Sequence, residues 1–298
     1  MSSTVIIKVG NSENTIDQLN DFLLKVSRKI SECVFISVDS LDIQVFKNKF
    51  DELELKAHLC NSEEDIDKAI LKSILKSKSD FIFLHDSDDI WEEGKAELFL
   101  EELNNGFDFV FSDASVSQSN NTQPFLEIIG ISTKQKLKLI EYKSDEILFV
   151  KNIATNSTIA FRKTELLNKL KIKKENELML AHVLASIYAA YDASKVQFIP
   201  KQLSRTSSYT SDIIRKQNAI SDSSIEFFQS KQRQLESILE VVDNAHFRRA
   251  HYFWFMRERS KSLPFLQKLI SLNTLFLERD YRRNTSKPFS TFISDLFN

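Results

Sequence analysis

The chain is poor in glycine, proline and cysteine. Its 298 residues include four glycines, four prolines and two cysteines. Two thiols cannot build the disulfide framework of a small secreted domain, and Cys33 and Cys60 both lie in apolar runs typical of strands. We therefore expect both to be buried free thiols in a reducing compartment. With so few glycines, glycine-based phosphate-binding motifs are expected to be eroded or absent.

The chain also lacks a strong charge bias and a long apolar run. Its formal net charge is −2, so nothing in the overall charge calls for a nucleic acid partner. No apolar window approaches the roughly 18 residues of a membrane span. The N-terminus has no basic region followed by an apolar stretch, so no signal peptide is expected. These features predict a cytoplasmic protein, with apolar residues making up 42% of the chain, enough for a sizeable core.

Short apolar runs alternate with longer amphipathic ones over the first third of the chain. Strands are predicted at residues 4–9, 34–38, 53–59, 80–85 and 107–112, and helices at 13–29, 42–50, 61–78 and 91–104. This alternation predicts an α/β fold with a mostly parallel sheet and helices on both faces. Ligands of such sheets bind beyond the carboxyl ends of the strands.

The pattern is less regular beyond residue 114. A strand is predicted at residues 157–161, helices at 163–170 and 178–191, and a short strand at 196–199 that Pro200 ends. A loop rich in serine and threonine is predicted at 204–211. From about residue 212 the pattern is helical, which predicts a first domain at 1–212 and a helical C-terminal region at 213–298.

Acidic side chains follow several of the predicted strands. Asp86, Asp88 and Asp89 come directly after the apolar run at 81–84, Asp39 ends the second strand, and Asp113 follows the fifth. Carboxylates crowded on one turn repel each other, and a divalent cation relieves that repulsion. Mg²⁺ and Mn²⁺ bind carboxylate and phosphate oxygens together, so the turn indicates a metal–diphosphate site. The alternative is a solvated acidic turn that caps the helix at Trp91.

The run FIFLHDSDDIWEEGK at residues 81–95 resembles the core of glycosyltransferase family 2, most closely its bacterial rhamnosyltransferase-like branch. In that branch an Asp-x-Asp-Asp turn after a strand is followed by Trp and then Lys. FDFVFSDA at 107–114 resembles the next strand of the family, and VFISVDS at 34–40 its second. NIATNSTIAFRKTELL at 152–167 and KVQFIPKQLSRTSSYTSD at 195–212 resemble later segments. The resemblance spans residues 4–212 and implies a GT-A fold, which is Rossmann-like.

The resemblance implies roles for five residues. Asp86 and Asp88 would hold Mn²⁺ or Mg²⁺ and the diphosphate of a nucleotide sugar, with Asp88 the direct metal ligand. Asp89 would cap the following helix or hold the sugar. Asp39 would bind the nucleobase, and Arg205 would reach the diphosphate and stabilise its charge as it departs. The histidine that the family places after this arginine is absent here.

An inverting transferase of this family also needs a base for the acceptor hydroxyl. The family supplies an aspartate at the start of the helix that here reads ELMLAHVLAS at 177–186, where no aspartate occurs. His182 lies at or beside that position, and its alternative is a packed core histidine. Glu177 and Asp113 are the other candidates for a catalytic role.

The segment at 246–283 mixes aromatic residues with nine basic and three acidic ones. One interpretation is a contact with an anionic membrane surface, at the inner face of the membrane where lipid-linked acceptors lie. The alternative is helices that pack on the catalytic domain or form a homodimer.

The function implied by the resemblance is metal-dependent, inverting transfer of a sugar from a nucleotide-diphosphate donor. The acceptor would be a glycan or a lipid-linked glycan in surface polysaccharide synthesis. Two alternatives stay open at this point: a catalytically degenerate GT-A-fold module that binds a nucleotide or a partner, and a peripheral membrane scaffold.

Overall fold

The structure of the protein, a computed structural model, describes about half of the chain. The described residues are 2–9, 15–26, 29–37, 56–61, 66–118, 121–128, 131, 154–170, 180–206, 238 and 240–242. The predicted helix at 42–50, the boundary near 212 and the helical region at 213–298 lie outside these residues, apart from four residues at 238 and 240–242.

The first half of the sheet is parallel. Its strands run in the order β3-β2-β1-β4, with two helices in the connections. These elements are β1 (Ser3–Lys8), α1 (Thr15–Val26), β2 (Glu32–Ser37), β3 (Lys56–Asn61), α2 (Ile66–Lys76) and β4 (Phe81–Asp86). Each lies within a few residues of its prediction, because the local apolar pattern and the turn residues agree with the fold.

The second half of the sheet is mixed. It continues in the order β4-β8-β6-β9-β5, and β7 pairs with β6. Its elements are β5 (Asp89–Trp91), α3 (Lys95–Asn104), β6 (Phe109–Gln118), β7 (Asn121–Pro124), α4 (Phe125–Ile128), β8 (Ile159–Arg162), α5 (Leu180–Asp192) and β9 (Val196–Thr206). β6 pairs in parallel with β9, whereas β8 is antiparallel to both β4 and β6. The predicted helix at 163–170 is a 3-10 helix at Glu165–Lys169.

Apolar side chains fill both faces of the sheet. In β1, Ile6 faces one buried cluster, together with residues of α2 and α5, while Val5 and Ile7 face another with residues of α1 and α3. Strands buried on both faces read as continuous apolar runs, which is why β1 and β4 were recognisable. The predicted α/β class, with a sheet flanked by helices, is confirmed. Cys33 is buried in β2 as expected, and the side chain of Cys60 lies outside the described part.

The predicted helix at 91–104 is wrong at its start. Trp91 lies in the short strand β5, and helix α3 begins at Lys95 after Gly94, whose φ is 76°. Glycine adopts this left-handed conformation without strain, so it separates the strand from the helix. The aromatic Trp91 then pairs with Ser204 of β9.

The prediction that Pro200 ends a strand is also wrong, because β9 continues to Thr206. The β6–β9 pairing passes from Ser112↔Ile199 to Asp113↔Gln202 and so leaves Pro200 in an irregularity of the ladder. Proline has no N–H to donate, and a bulge needs none at that point. The first residues of the predicted loop at 204–211 therefore belong to β9.

Candidate functional site

The acidic turn follows β4, at the edge of the sheet where the parallel strands have their carboxyl ends. Asp86 ends β4 opposite Lys8, the last residue of β1. The backbone N–H of Ser87 donates to the carbonyl of Lys8 at 2.8 Å, which ties the turn to the neighbouring strand. Asp86 and Asp88 are both half-buried, whereas Ser87 between them is buried. The two carboxylates therefore lie at the edge where ligands of parallel sheets bind.

Asp86 is held by a short 3-10 helix at Asn156–Thr158. Asn156 Nδ2 donates to Asp86 Oδ1 at 3.0 Å, and the backbone N–H of Asp86 donates to Ser157 Oγ at 2.9 Å. Burial raises the pKa of the Asp86 carboxyl, and the charge of Asp88 adds to that rise. Lys8 and Asn156 oppose it because they favour the charged form. Asp86 is thus held in place by hydrogen bonds, while burial disfavours the charged form of its carboxyl group.

Asp89 is the first residue of β5, and its side chain is buried. It is 4% exposed and pairs with Thr206 of β9. Burial, followed by the charge of Asp86, raises its pKa to about 7. The predicted capping of the next helix by Asp89 is wrong, because that helix begins at Lys95 with Gly94 in the cap position. Its predicted contact with the sugar stays a prediction.

Lys95 is a buried basic residue. The sequence indicated it only as the lysine that follows Trp91 in the family motif. Lys95 Nζ donates to the carbonyl of Ser157 at 2.5 Å and to Ser204 Oγ at 3.0 Å. It also lies 3.9 Å from the ring centre of Trp91. Burial lowers its pKa to about 7. A signal did exist: Lys95 is in helical register with Phe99 and Leu103, which face the core.

Arg205 lies on the exposed side of β9. Its Nη2 pairs with Glu92 Oε1 at 3.1 Å, and both side chains border an open depression with Ser115 and Gln202. Arg205 pairs in the ladder with Ile90, so it faces away from the side of β5 and β9 that carries Asp89 and Ser204. Its predicted contact with a diphosphate is not tested by this arrangement.

The candidates for the catalytic base are placed as follows. Asp113 is buried on β6, and its Oδ1 accepts from the backbone N–H groups of Ala114 at 2.9 Å and Leu126 at 3.0 Å. His182 lies in α5 and is 1% exposed. Glu177, like the predicted nucleobase ligand Asp39, lies outside the described residues. The structure therefore places Asp88 in the turn between β4 and β5, with Asp86 and Asp89 on either side of it, and it places Asp113 and His182 in the core.

The donor set at the turn fits a cation that is shared with a ligand. Within the described ranges, no group of three or more His, Cys, Asp or Glu side chains is arranged to hold a metal ion. Mg²⁺ and Mn²⁺ need no such cage when a nucleotide is present, because one or two carboxylates and the phosphates of the nucleotide then supply the ligands. Asp86 and Asp88, both half-buried residues, supply two such carboxylates.

Comparison with known proteins identifies the family. The model of the family described as glycosyl transferase family 2 matches residues 4–170, more than half of the chain. The chain belongs to glycosyltransferase family 2. Its activity is that of a glycosyltransferase, and the predicted GT-A fold is confirmed. None of the curated proteins matches the chain significantly.

Solved structures share the fold at low identity. Residues 1–349 of TarS from S. aureus, in complex with UDP-GlcNAc, match with a TM-score of 0.58 and 14% identity, over 92% of this chain and 79% of that one. A longer TarS structure matches with the same TM-score and identity, over 90% of this chain and 47% of that one. Glucosyl-3-phosphoglycerate synthase from Mycobacterium tuberculosis gives a TM-score of 0.47 at 12% identity, over 82% and 80% of the two chains. Within the described residues of this protein, no helix has the length and apolarity of a membrane span.

Proposed function

We propose that this glycosyltransferase moves a hexosyl or deoxyhexosyl group, with inversion, to a hydroxyl of a glycan or lipid-linked glycan in surface polysaccharide synthesis. One observation supports the proposal above all others. Asp86 and Asp88 lie half-buried at the carboxyl edge of the parallel strands, and Asp86 is fixed there by hydrogen bonds from and to the Asn156–Thr158 turn. Two carboxylates at that edge match the ligand needs of a cation that is shared with a diphosphate.

The proposed cofactor is Mn²⁺ or Mg²⁺, held by Asp88 directly and by Asp86. When bound, the cation would neutralise charge on the departing nucleoside diphosphate. The contribution of the chain is to fix the Asp86 carboxylate before the donor arrives. A preorganised site need not reorganise during the reaction, which is the main source of electrostatic catalysis.

A uridine diphosphate sugar is the first donor to test, because TarS, which shares the fold, was solved with UDP-GlcNAc. Asp39 is proposed to contact the nucleobase. The Asp-x-Asp-Asp turn followed by Trp91 and Lys95 favours the rhamnosyltransferase-like branch, so a deoxyhexose donor is the second to test. Arg205 is proposed to approach the diphosphate if its ion pair with Glu92 opens.

The base for the acceptor hydroxyl is proposed to be Glu177, His182 or Asp113. A general base must come within hydrogen-bonding distance of the proton that it removes. Asp113 and His182 are buried here, and Asp113 already accepts two backbone hydrogen bonds. Glu177 is therefore the first of the three to replace.

The C-terminal region at 213–298 is proposed to bring the enzyme to its acceptor. Its basic and aromatic segment at 246–283 would contact an anionic membrane surface on the cytoplasmic side, or would pair two subunits. Replacement of Arg248, Arg249, Arg257 and Arg259 by glutamine should weaken binding to anionic vesicles and leave donor hydrolysis intact.

The proposal is tested by the release of UDP from UDP-sugars with Mn²⁺, with Mg²⁺ or with EDTA. We expect turnover with either cation, and loss of turnover with EDTA and in Glu177→Gln when an acceptor is present. Turnover that persists undiminished in EDTA would contradict the metal-dependent mechanism.

A further inference from the structure

Four side chains form a connected group behind Asp86. We call Lys95, Asn156, Ser157 and Ser204 the Asp86 brace. They come from three separate segments of the chain: the start of α3, the turn before β8 and the end of β9. Lys95, Ser157 and Ser204 are buried, and Asn156 is half-buried next to the acidic turn.

The front of the Asp86 brace holds Asp86 by two hydrogen bonds. Asn156 Nδ2 binds one carboxylate oxygen at 3.0 Å, and Ser157 Oγ accepts from the backbone N–H of Asp86 at 2.9 Å. The bond from Asn156 restrains the carboxylate, and the bond to Ser157 restrains the backbone that carries it. Together they leave the Asp86 side chain little freedom to turn away from the edge of the sheet.

The back of the Asp86 brace holds the turn itself. Lys95 Nζ and Ser204 Oγ both donate to the carbonyl oxygen of Ser157. Lys95 also donates to Ser204 Oγ, so the three groups form a closed triangle inside the protein. A buried ammonium is costly to desolvate, and core packing alone does not require one. One of its two hydrogen-bond partners, Ser157, also binds the backbone of Asp86 and is adjacent in the chain to Asn156, which binds the Asp86 carboxylate. This link to the acidic turn indicates that the cost serves the site.

We propose that Lys95 and Asn156 are positioning residues for the donor side of the reaction. Asn156 would orient the Asp86 carboxylate toward the cation and the diphosphate, and Lys95 would hold the turn that carries Asn156 and Ser157. Neither residue need touch the donor. This inference rests on the proposed function, because it assumes that Asp86 takes part in binding the cation and the nucleotide.

The competing explanation is that the Asp86 brace only stabilises the fold. If the Asp86 brace is purely structural, substituting one of its residues lowers the free energy of unfolding but leaves the affinity of the folded protein for Mn²⁺ unchanged. A positioning group would raise the Mn²⁺ concentration needed for nucleotide binding. Cation affinity in the folded protein therefore separates the two explanations.

The test uses Asn156→Ala and Lys95→Met with matched controls. Asn168→Ala removes an asparagine whose Nδ2 donates to Glu165, also in a 3-10 helix. Lys163→Met removes a lysine that bridges two backbone carbonyls, those of Leu75 at 2.8 Å and Ser77 at 2.6 Å. Both controls lose the same kind of bond far from the acidic turn. Circular dichroism shows which variants are folded.

The readout is the Mn²⁺ concentration that gives half of the maximal rise in melting temperature with saturating UDP, together with the KM for donor and acceptor. We expect Asn156→Ala and Lys95→Met to raise the half-saturating Mn²⁺ concentration and the donor KM about 10-fold, with the acceptor KM and both controls unchanged. If Lys95→Met does not fold, Asn156→Ala alone decides.

Two results would overturn the inference. If the wild type responds to Mn²⁺ and Asn156→Ala responds with the same half-saturation, the Asp86 brace is structural and the proposed function stands. If the wild type itself shows no Mn²⁺-dependent response to nucleotides, the proposed function fails and the inference fails with it.

Discussion

The two halves of the sheet contribute to the site in different ways. The parallel half is built from short apolar strands, and it brings acids to one edge simply because its strands end there. Both halves bury polar side chains, such as Thr4 in β1 and Ser204 in β9, but the buried charged residues Asp89, Lys95 and Asp113 all belong to the mixed half. Strand geometry alone thus places Asp86 and Asp88, whereas the orientation of Asp86 also depends on polar contacts from Asn156 and Ser157.

The two halves of the sheet should also differ in how much stability a substitution costs. Apolar burial in the parallel half adds up roughly in proportion to area, so a small truncation has a graded cost. A buried polar network is less tolerant, because removing one partner leaves the others unsatisfied at about 1–3 kcal/mol each. Removing a buried polar group of the mixed half should therefore lower the free energy of unfolding more sharply than a small apolar truncation in the parallel half.

The largest effect is expected at the edge of the parallel half. Asp88→Ala removes the proposed direct metal ligand, and we expect turnover to fall by at least about 100-fold. Asp80→Ala is the matched control, because Asp80 lies at the opposite end of β4 and accepts from the backbone N–H of Ser2. UDP release measures both. Equal rates in the two variants would show that the acidic turn has no special role.

The next effect concerns the packing of the mixed half. Trp91 is 2% exposed and packs edge-on against Phe22, with 5.3 Å between the two ring centres. We expect Trp91→Ala to lower the free energy of unfolding by about 3–5 kcal/mol, measured by urea denaturation. Tyr191→Ala, at a side chain that is 60% exposed, should change it by less than about 0.5 kcal/mol. A loss below about 1 kcal/mol in Trp91→Ala would mean that β5 is not part of the core.

The buried lysine should give stability a dependence on pH. The pKa of Lys95 is about 7 in the folded protein, because of burial, against its ordinary 10.5. Between these values the unfolded chain binds more protons, so this group makes the wild type more stable as the pH rises from about 7 to about 10. Lys95→Met removes that contribution.

We therefore expect the stability difference between wild type and Lys95→Met to shift in favour of the wild type as the pH rises from about 7 to about 9.5. Urea denaturation at the two pH values measures it. Lys163→Met serves as the control, since its ammonium is only partly buried. A difference that does not change with pH would mean that Lys95 stays charged throughout.

The smallest effect is expected at the exposed ion pair. Arg205 and Glu92 have side chains that are 49% and 30% exposed, so solvent screens their attraction. We expect Glu92→Gln to change the free energy of unfolding by no more than about 1 kcal/mol. Arg205→Ala should raise the donor KM if Arg205 reaches the diphosphate, and an unchanged donor KM would assign Arg205 to the ion pair alone.

The parallel half was predictable from the sequence for a physical reason. The strands β1 and β4 contain continuous apolar runs, at residues 5–7 and 81–84, and the sequences just before helices α1 and α2 are polar, so local patterns agree with the fold. The mixed half was harder because its elements depend on partners far along the chain. Trp91 has the sequence context of a helix start, and only its pairing with β9 makes it part of a strand.

The candidate site shows the same division. The acids at 86–89 follow from one motif, and the family was recognised from it. The Asp86 brace could not be found that way, since Lys95 reaches Ser157 and Ser204 across 62 and 109 residues of sequence. No local pattern records such contacts. The sequence did not single out one base from Glu177, His182 and Asp113, because it lacks the aspartate that the family places at the start of that helix.

The central claim is that Asp86 and Asp88 share a cation with a nucleoside diphosphate. The most direct measurement is the melting temperature of the wild type and Asp88→Ala with UDP, with Mn²⁺ and with both, since a ligand of the folded state raises it. We predict that the wild type is stabilised by UDP and Mn²⁺ together far more than by either alone, and that Asp88→Ala is not. An equal rise in both proteins, or none in the wild type, would contradict the claim.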